Sequence, residues 1–174
     1  MKYSLRELKE KDAPLMLEWM KDPEVNQFFR FDADTMTIES CLSFIRSTDP
    51  SSQHYAIVDE SDEYLGTISL KSIENGEAEY AISLRRQFHG TGAASKGTQE
   101  ILRIGFEEIK LNRIYLNVLS DNKRANRFYK KMGFTLDREE KNALEIKGVQ
   151  RELNWYSIDK GEFFSSKNEK GDEK

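Results

Sequence analysis

The stretch EYAISLRRQFHGTGAASKG, Glu79–Gly97, indicates the fold class because its pattern changes from a strand to a helix around a glycine-containing loop. The loop, HGTGAA at 89–94, has two glycines and two alanines in six residues, and we predict that the helix after it runs to about Ile109. Small residues let backbone N–H groups approach a ligand closely, and a helix start carries unpaired N–H groups and a partial positive charge. The pattern therefore predicts a strand–loop–helix unit whose loop binds the phosphates of a nucleotide cofactor.

The loop by itself leaves other interpretations open. A tight turn that binds nothing also places small residues between a strand and a helix. No Gly-Lys-Ser/Thr sequence follows, so this is not a P-loop, and the third glycine is displaced from its place in a Rossmann fingerprint. These departures argue against a nucleotide-binding regulator that uses the loop for ATP or NAD.

The sequence around this unit predicts a mixed α+β fold. Three strands joined by short polar turns precede the loop as an antiparallel meander, at 54–60, 64–73 and 77–84. Helices are expected at 14–29 and after Thr37, which can cap one. A strand at 113–120 follows the loop helix, so strand–helix–strand forms a parallel pair with a right-handed crossover. The remaining predicted elements are a helix ended by Gly133 and two strands, at 122–132, 134–140 and 151–158.

Composition limits the function classes. The 174 residues suit a single domain, which we place at 1–164, and the polar end at 165–174 predicts a disordered tail. A net charge of −4 argues against broad nucleic-acid binding. The chain has no run of eighteen apolar residues, and its N-terminus is too polar for a signal peptide, so we expect no membrane span. One cysteine and two histidines make a metal site unexpected and favour the reducing cytoplasm.

Two blocks of the sequence resemble the GNAT superfamily of N-acetyltransferases, and in particular its RimJ/RimL and spermidine-acetyltransferase-like branch. The first block is the glycine loop with its strand and helix. The second is NRIYLNVLSDNKRANRFYKKMGF, in which the family pattern Asn-x-x-Ala-x-x-x-Tyr-x-x-x-Gly-Phe is matched by Asn122, Ala125, Tyr129, Gly133 and Phe134. The resemblance covers residues 3–160. It implies a GNAT fold, with a central, mostly antiparallel sheet, a splayed parallel strand pair and flanking helices.

The resemblance also implies acetyl-CoA, or coenzyme A, as the cofactor, wedged between the splayed strands. The pantetheine arm would pair with the main chain of Ile82, Ser83 and Leu84. The pyrophosphate would lie on the loop, at His89, Gly90, Thr91, Gly92, Ala93 and Ala94. His89 stands where the family usually has Gln or Arg, and a histidine is cationic only below a pKa of about 6.5. We therefore expect cofactor affinity to weaken modestly as the pH rises through that range.

Further cofactor contacts are implied near the second block. Asn122 would bond the pantetheine arm, although a helix N-cap is an equal interpretation. The cations Lys123, Arg124 and Arg127 would meet the phosphates, or else form a solvated helix face. Asn117, on the strand before them, would face the cleft.

Two residues are implied in the chemistry. Tyr129 would be the general acid near the sulfur, because a phenol with a pKa near 10 stays protonated at neutral pH. The alternative is a core tyrosine whose hydroxyl is already hydrogen-bonded. Glu79 would be the base, directly or through water, and its alternative is an exposed strand carboxylate.

The acceptor is expected against residues 19–38, where Trp19, Phe28, Phe29, Arg30 and Phe31 have aromatic and basic character. These aromatics could equally belong to the core. The resemblance implies direct transfer to a primary amine of a small molecule, an amino sugar, sugar nucleotide or polyamine. A protein N-terminus as acceptor and a non-catalytic acyl-CoA-binding module are the alternatives. Many relatives pair, so a homodimer is also possible.

Overall fold

The computed structural model describes residues 1–171 and contains one seven-stranded sheet with the strand order β1-β2-β3-β4-β5-β7-β6. The strands are β1 (Ser4–Glu7), β2 (Gln53–Val58), β3 (Tyr64–Glu74), β4 (Glu77–Leu84), β5 (Arg113–Leu119), β6 (Thr135–Ile146) and β7 (Val149–Asp159). The helices are α1 (Ala13–Lys21), α2 (Pro23–Asn26), α3 (Ile38–Arg46), α4 (Ala93–Arg103), α5 (Lys123–Lys131) and α6 (Lys160–Gly171). Short 3-10 turns lie at Glu10–Asp12, Ala33–Thr35 and Arg86–Phe88, and a π-helical segment, Ile104–Glu108, continues α4. The α+β class is confirmed.

The chain divides into two compact units. The first comprises Met1–Lys71 and Ala81–Ile101, and the second comprises Ser72–Tyr80 and the chain from Leu102 onward. The sheet strands β3 and β4 contribute residues to both.

The first unit is built on antiparallel strands that carry helices. β1 pairs with β2, and β2 with β3, both antiparallel. Helix α1 begins beside Pro14, and Thr37 caps α3 by accepting a hydrogen bond from the Ser40 N–H at 3.1 Å. These helices bury a core that contains Met16, Trp19, Cys41 and Tyr64.

Gly66 allows a close approach of β3 to β4. A Cβ at this position would lie 2.2 Å from the Ser83 carbonyl oxygen, so no other residue fits without moving the backbone. The register of β2 against β3 shifts between Ile57 and Val58, close to the Gly66 partner. Gly97 likewise allows α4 to pack closely on β2, because a Cβ there would lie 2.8 Å from Ile57 Cδ1.

The second unit contains the parallel strand pair. β4 and β5 are matched over three residue pairs, Glu77–Glu79 with Arg113–Tyr115. β5 also pairs along its whole length with antiparallel β7, and β7 pairs with β6. Helix α5 ends before Gly133, whose φ of +97° is the left-handed conformation that favours glycine.

The C-terminal part is more regular than the sequence predicts. The β6–β7 hairpin turns at Lys147 and Gly148, both with positive φ, so its strands run past the predicted ends. Helix α6 covers 165–171, within the stretch predicted as a disordered tail, while 172–174 lie outside the described residues. The helix is held by Phe163, whose ring is buried and stacks on Phe106 with centroids 5.0 Å apart.

Within the described chain, none of the helices is long and apolar enough to span a bilayer.

Candidate active site

The glycine loop of the first unit is open and shaped by its backbone. Gly90 and Gly92 have φ of +75° and +93°, and a Cβ at either would meet no atom within 4 Å. Backbone conformation, rather than crowding, therefore requires glycine. Residues 90–92 are exposed, and α4 begins at the buried Ala93. The first main-chain bond of the helix runs from Lys96 N–H to the Gly92 carbonyl at 3.0 Å, so the N–H groups of Ala94 and Ser95 precede it. This arrangement can accept a phosphate.

His89 connects the loop to the end of β4. Its Nε2 lies 3.1 Å from the Leu84 carbonyl oxygen, and because a carbonyl only accepts, Nε2 carries the hydrogen. On the other side, the Tyr3 hydroxyl donates to the Thr91 carbonyl at 3.4 Å. The histidine ring thus fixes the loop against the strand that resemblance assigns to the pantetheine arm.

An apolar pocket of about 330 Å³ lies in the same unit. It contains three of the residues named in the predicted acceptor stretch, Trp19, Phe29 and Phe31. Phe28 and Arg30 are not part of its lining. The Phe29 ring contacts that of Trp19 edge-on at 5.6 Å and stacks on Phe31 at 5.5 Å. The lining is Met16, Trp19, Met20, Phe29, Phe31, Phe44, His54, Thr67, Ser69, Lys71, Ala81, Ile82 and Ser83.

The polar groups of this pocket wall bond to one another. Trp19 Nε1 donates to the hydroxyl of Tyr64 at 2.9 Å, and that hydroxyl lies 2.6 Å from the Thr67 hydroxyl. His54 Nδ1 lies 2.6 Å from the Ser69 hydroxyl. Burial, followed by the charge of Lys71, lowers the pKa of His54, so the imidazole is neutral at neutral pH. The wall therefore offers mainly apolar surface.

Tyr129, in the second unit, is buried in an aromatic cluster. Its ring centroid lies 5.8 Å from Tyr80, 5.9 Å from Phe134 and 6.1 Å from Tyr156. Burial raises the pKa of Tyr129, so the phenol is protonated throughout the neutral range. Over residues 1–171, its hydroxyl has no hydrogen-bond partner. Tyr129 therefore differs from the alternative interpretation, a core tyrosine whose hydroxyl is already hydrogen-bonded. This hydroxyl can donate a proton to a ligand.

Asn126 holds the start of α5 against β5 and β7, and sequence reasoning missed it. Its Nδ2 donates to the carbonyls of Leu119 and Asn122, at 3.1 and 2.8 Å. Its Oδ1 accepts from Asn154 Nδ2 and from the Tyr156 hydroxyl, both at 2.8 Å. Because Asn126 lies among charged residues, the sequence pattern indicated only a solvated helix face.

The Asn122 side chain caps α5. Its Oδ1 accepts from the Ala125 N–H at 3.2 Å, as the capping interpretation expects. This bond leaves the Asn122 side-chain NH₂ group for other partners.

A second pocket, of about 320 Å³, is lined by Lys130 and by two of the residues predicted to contact the cofactor phosphates, Lys123 and Arg127. All three are exposed and lie on one face of α5, where spacings of three and four residues place side chains together. Ser120, Asn126 and Asn154 complete the lining. The pocket is suited to an anion. Arg124 is exposed and is not part of this lining.

Glu79 is half-buried on β4 and lies opposite Tyr115 in the parallel ladder. Burial, followed by the Glu79 charge, raises the pKa of Tyr115. Asn117 is half-buried two residues along β5, on the Tyr115 side, and pairs in register with Trp155. Glu79 is thus a partly accessible carboxylate on a rigid strand.

Sequence reasoning missed most of the apolar pocket in the first unit. Phe44, His54 and Lys71 come from α3, β2 and β3, which lie far apart in the chain. Strand alternation could have grouped Thr67, Ser69 and Lys71 on one face of β3, but it does not indicate which helix covers that face.

Comparisons with known proteins agree with the resemblance. A family model for the acetyltransferase (GNAT) domain matches residues 3–135. Acetyltransferase PseH from Campylobacter jejuni is 26% identical over 141 residues, which are 80% of this chain and 87% of that protein. Spermidine N(1)-acetyltransferase from Escherichia coli is 28% identical over 102 residues, 58% of this chain and 55% of that protein. A solved structure of spermidine N-acetyltransferase from Vibrio cholerae, in complex with CoA and spermine, has a TM-score of 0.84 at 19% identity and covers 93% of this chain and 98% of its own.

Proposed function

Because this chain belongs to the GNAT acetyltransferases, which use acetyl-CoA, we propose that it acetylates a primary amine of a small molecule by direct transfer in a ternary complex. The observation that carries the proposal is the lining of the apolar pocket. Ile82 and Ser83 belong to its wall, and they are also the residues to which the resemblance assigns the pantetheine arm. An acceptor in this pocket would therefore lie beside the cofactor strand.

The residues of the first unit fit the proposed cofactor contacts. We assign the main chain of 82–84 to the pantetheine arm and residues 89–94 to the pyrophosphate. The open space above Gly90 and Gly92 and the helix start behind them suit an anion. His89 would position the loop through its bond to Leu84.

The remaining cofactor contacts are assigned from the resemblance to residues of β5 and α5. We assign the Asn122 side chain and Asn117 to the pantetheine arm. Lys123, Arg124 and Arg127 are assigned to the phosphates as exposed cations of α5. Lys123 and Arg127 are the stronger candidates because they border the same pocket.

Two residues of this chain would move protons. Acetyl-CoA, when bound, supplies an activated acyl group on sulfur. Glu79 would take a proton from the attacking amine nitrogen, directly or through water, as the new C–N bond forms. The Tyr129 hydroxyl would donate its proton to the sulfur that leaves as the C–S bond breaks, and solvent would then reprotonate the phenolate. The raised pKa of Tyr129 keeps the phenol protonated at neutral pH, so its proton is available when negative charge develops on the leaving sulfur.

The cellular setting is part of the same proposal. Cys41 is a free, buried thiol, which suits the reducing cytoplasm. A homodimer remains a proposal that the size of the protein in solution would test.

The test is an initial-rate screen that follows free thiol release from acetyl-CoA. The panel contains polyamines, amino sugars with and without a nucleotide, aromatic amines and short peptides, and mass spectrometry identifies the acetylated product. We expect one class of small amine to be acetylated, with one thiol released for each product. Acetylation of peptide N-termini alone would contradict the proposal. Binding of acetyl-CoA without acetylation of any amine in the panel would contradict it as well.

A further inference from the structure

We propose that the acceptor is an amine with a compact, ring-containing apolar body and no further ammonium groups, bound in the apolar pocket of the first unit. This inference rests on the proposed function for its chemistry, but the binding preference can be measured without acetyl transfer. It separates this chain from a polyamine acetyltransferase.

The pocket has the size and surface for one or two rings. Its volume of about 330 Å³ lies at the lower end of the range for small-molecule pockets, which is about 300–1,000 Å³. Trp19, Phe29, Phe31 and Phe44 line it from several directions, and Met16 and Met20 add flexible apolar surface. A ring buried among them removes apolar surface from water and can contact aromatic edges and faces.

The polar atoms of the wall leave little to satisfy a charged ligand. The indole N–H of Trp19 and the hydroxyls of Tyr64 and Thr67 form one chain of hydrogen bonds. His54 and Ser69 form a second pair. A ligand that brought several charges into this pocket would have to break these bonds or remain unsatisfied.

The charge of the lining also disfavours a polyamine. None of the thirteen lining residues, all within the described chain, is Asp or Glu, and the ionised side chain among them is Lys71. A polyamine carries an ammonium at each end and needs carboxylates to compensate for lost hydration. The aromatic rings could hold a single cation by cation–π contact, but they do not replace several carboxylates.

The position of β4 in the wall sets the direction of the ligand. Ala81, Ile82 and Ser83 form one side of the pocket, and Trp19 and Phe29 line it from α1 and the segment after α2. The amine would point towards the strand assigned to the cofactor, and the ring would lie among the aromatic side chains.

Isothermal titration calorimetry of the full chain tests the preference. The probes are 2-phenylethylamine, butylamine, which has the same single charge and no ring, and spermidine. We expect 2-phenylethylamine to bind at least about tenfold more tightly than the other two, because its ring buries more apolar area than the butyl chain and it lacks the additional charges of spermidine. Tighter binding of spermidine, or equal binding of the two monoamines, would overturn the inference.

A pair of variants locates the binding. Phe29→Ala removes a pocket ring and should weaken 2-phenylethylamine binding about tenfold, while spermidine binding changes little. Phe164→Ala is the control, because Phe164 is a half-buried phenylalanine of α6 that does not line the pocket. Equal effects of the two substitutions would contradict the assignment, and thermal unfolding confirms that both variants fold.

Turnover separates this inference from the proposed function. If 2-phenylethylamine binds as expected but no amine of the panel is acetylated, the proposed function fails and the inference on ligand class stands. If spermidine is the better substrate, the proposed function stands and the inference fails.

Discussion

Replacement of Tyr129 by phenylalanine should slow acetyl transfer strongly and leave the fold almost unchanged. Within the described chain, the hydroxyl has no hydrogen-bond partner, so its removal breaks no internal bond. We therefore expect the free energy of unfolding to change by no more than about 0.5 kcal/mol. Loss of a general acid lowers kcat by about 10²- to 10⁴-fold, which corresponds to roughly 3–5 kcal/mol in the transition state.

Tyr156→Phe is the matched control for this prediction. Tyr156 is also buried, and its ring contacts Tyr129, but its hydroxyl donates to Asn126 Oδ1 at 2.8 Å. Loss of this bond should cost about 0.5–1.5 kcal/mol of stability and leave kcat within a few-fold of the wild type. The two variants should thus show opposite patterns, one in rate and the other in stability.

The assay combines urea unfolding with initial rates at saturating acetyl-CoA and amine. Acetyl-CoA affinity, measured by calorimetry, should be the same in both variants and the wild type. An unchanged kcat in Tyr129→Phe would exclude its hydroxyl as the acid, and a stability loss equal to that of Tyr156→Phe would show that the hydroxyl is bonded within the fold.

Two further changes test the loop and the acid stability of the fold. Gly92→Ala places a side chain at φ +93° and should destabilise the protein by about 1 kcal/mol and weaken acetyl-CoA binding. Gly148→Ala, at φ +79° in the hairpin turn, should lose the same stability but keep its acetyl-CoA affinity. Equal acetyl-CoA affinities of the two variants in calorimetry would exclude the loop from the cofactor site. The pKa of Asp62 is lowered by hydrogen bonds from Lys11 and Arg6, so its contribution to stability is present above pH about 4 and is lost as the pH falls towards that lowered value. In urea unfolding between pH 5 and 2, about the range in which this carboxylate titrates, Asp62→Asn should show a shallower decline than the wild type, and parallel curves would count against the ion pairs.

Local chemistry explains which parts of the fold could be predicted. The strand–loop–helix unit around Gly90 and Gly92 was predictable because glycine with positive φ and helix-start signals act within a few residues. The cap of α3 at Thr37 was predictable for the same reason. By contrast, 165–171 is too polar to indicate a helix, and α6 depends on the tertiary contact between Phe163 and Phe106.

The candidate site shows the same limit. Trp19 and Phe29 could be selected because aromatic residues are concentrated in one stretch. Phe44 and His54 enter the pocket from other elements, so no local pattern links them to it. The Asn126 side chain bonds through both its NH₂ group and its oxygen, to partners on β5, at the start of α5 and on β7. Because these partners come from three elements, no local sequence pattern predicts this role.

We propose that acetyl moves from acetyl-CoA to the amine in one step, with Tyr129 as the acid. A rapid-quench experiment with isotopically labelled acetyl-CoA tests it most directly, because acetylated amine, free CoA and acetylated protein are measured in the same turnover. We predict that acetylated amine and CoA appear at the same rate, that the protein carries no label, and that Tyr129→Phe slows both products equally. Release of CoA before the amine is acetylated, with label on the protein, would exclude direct transfer. An undiminished rate in Tyr129→Phe would exclude Tyr129 as the acid.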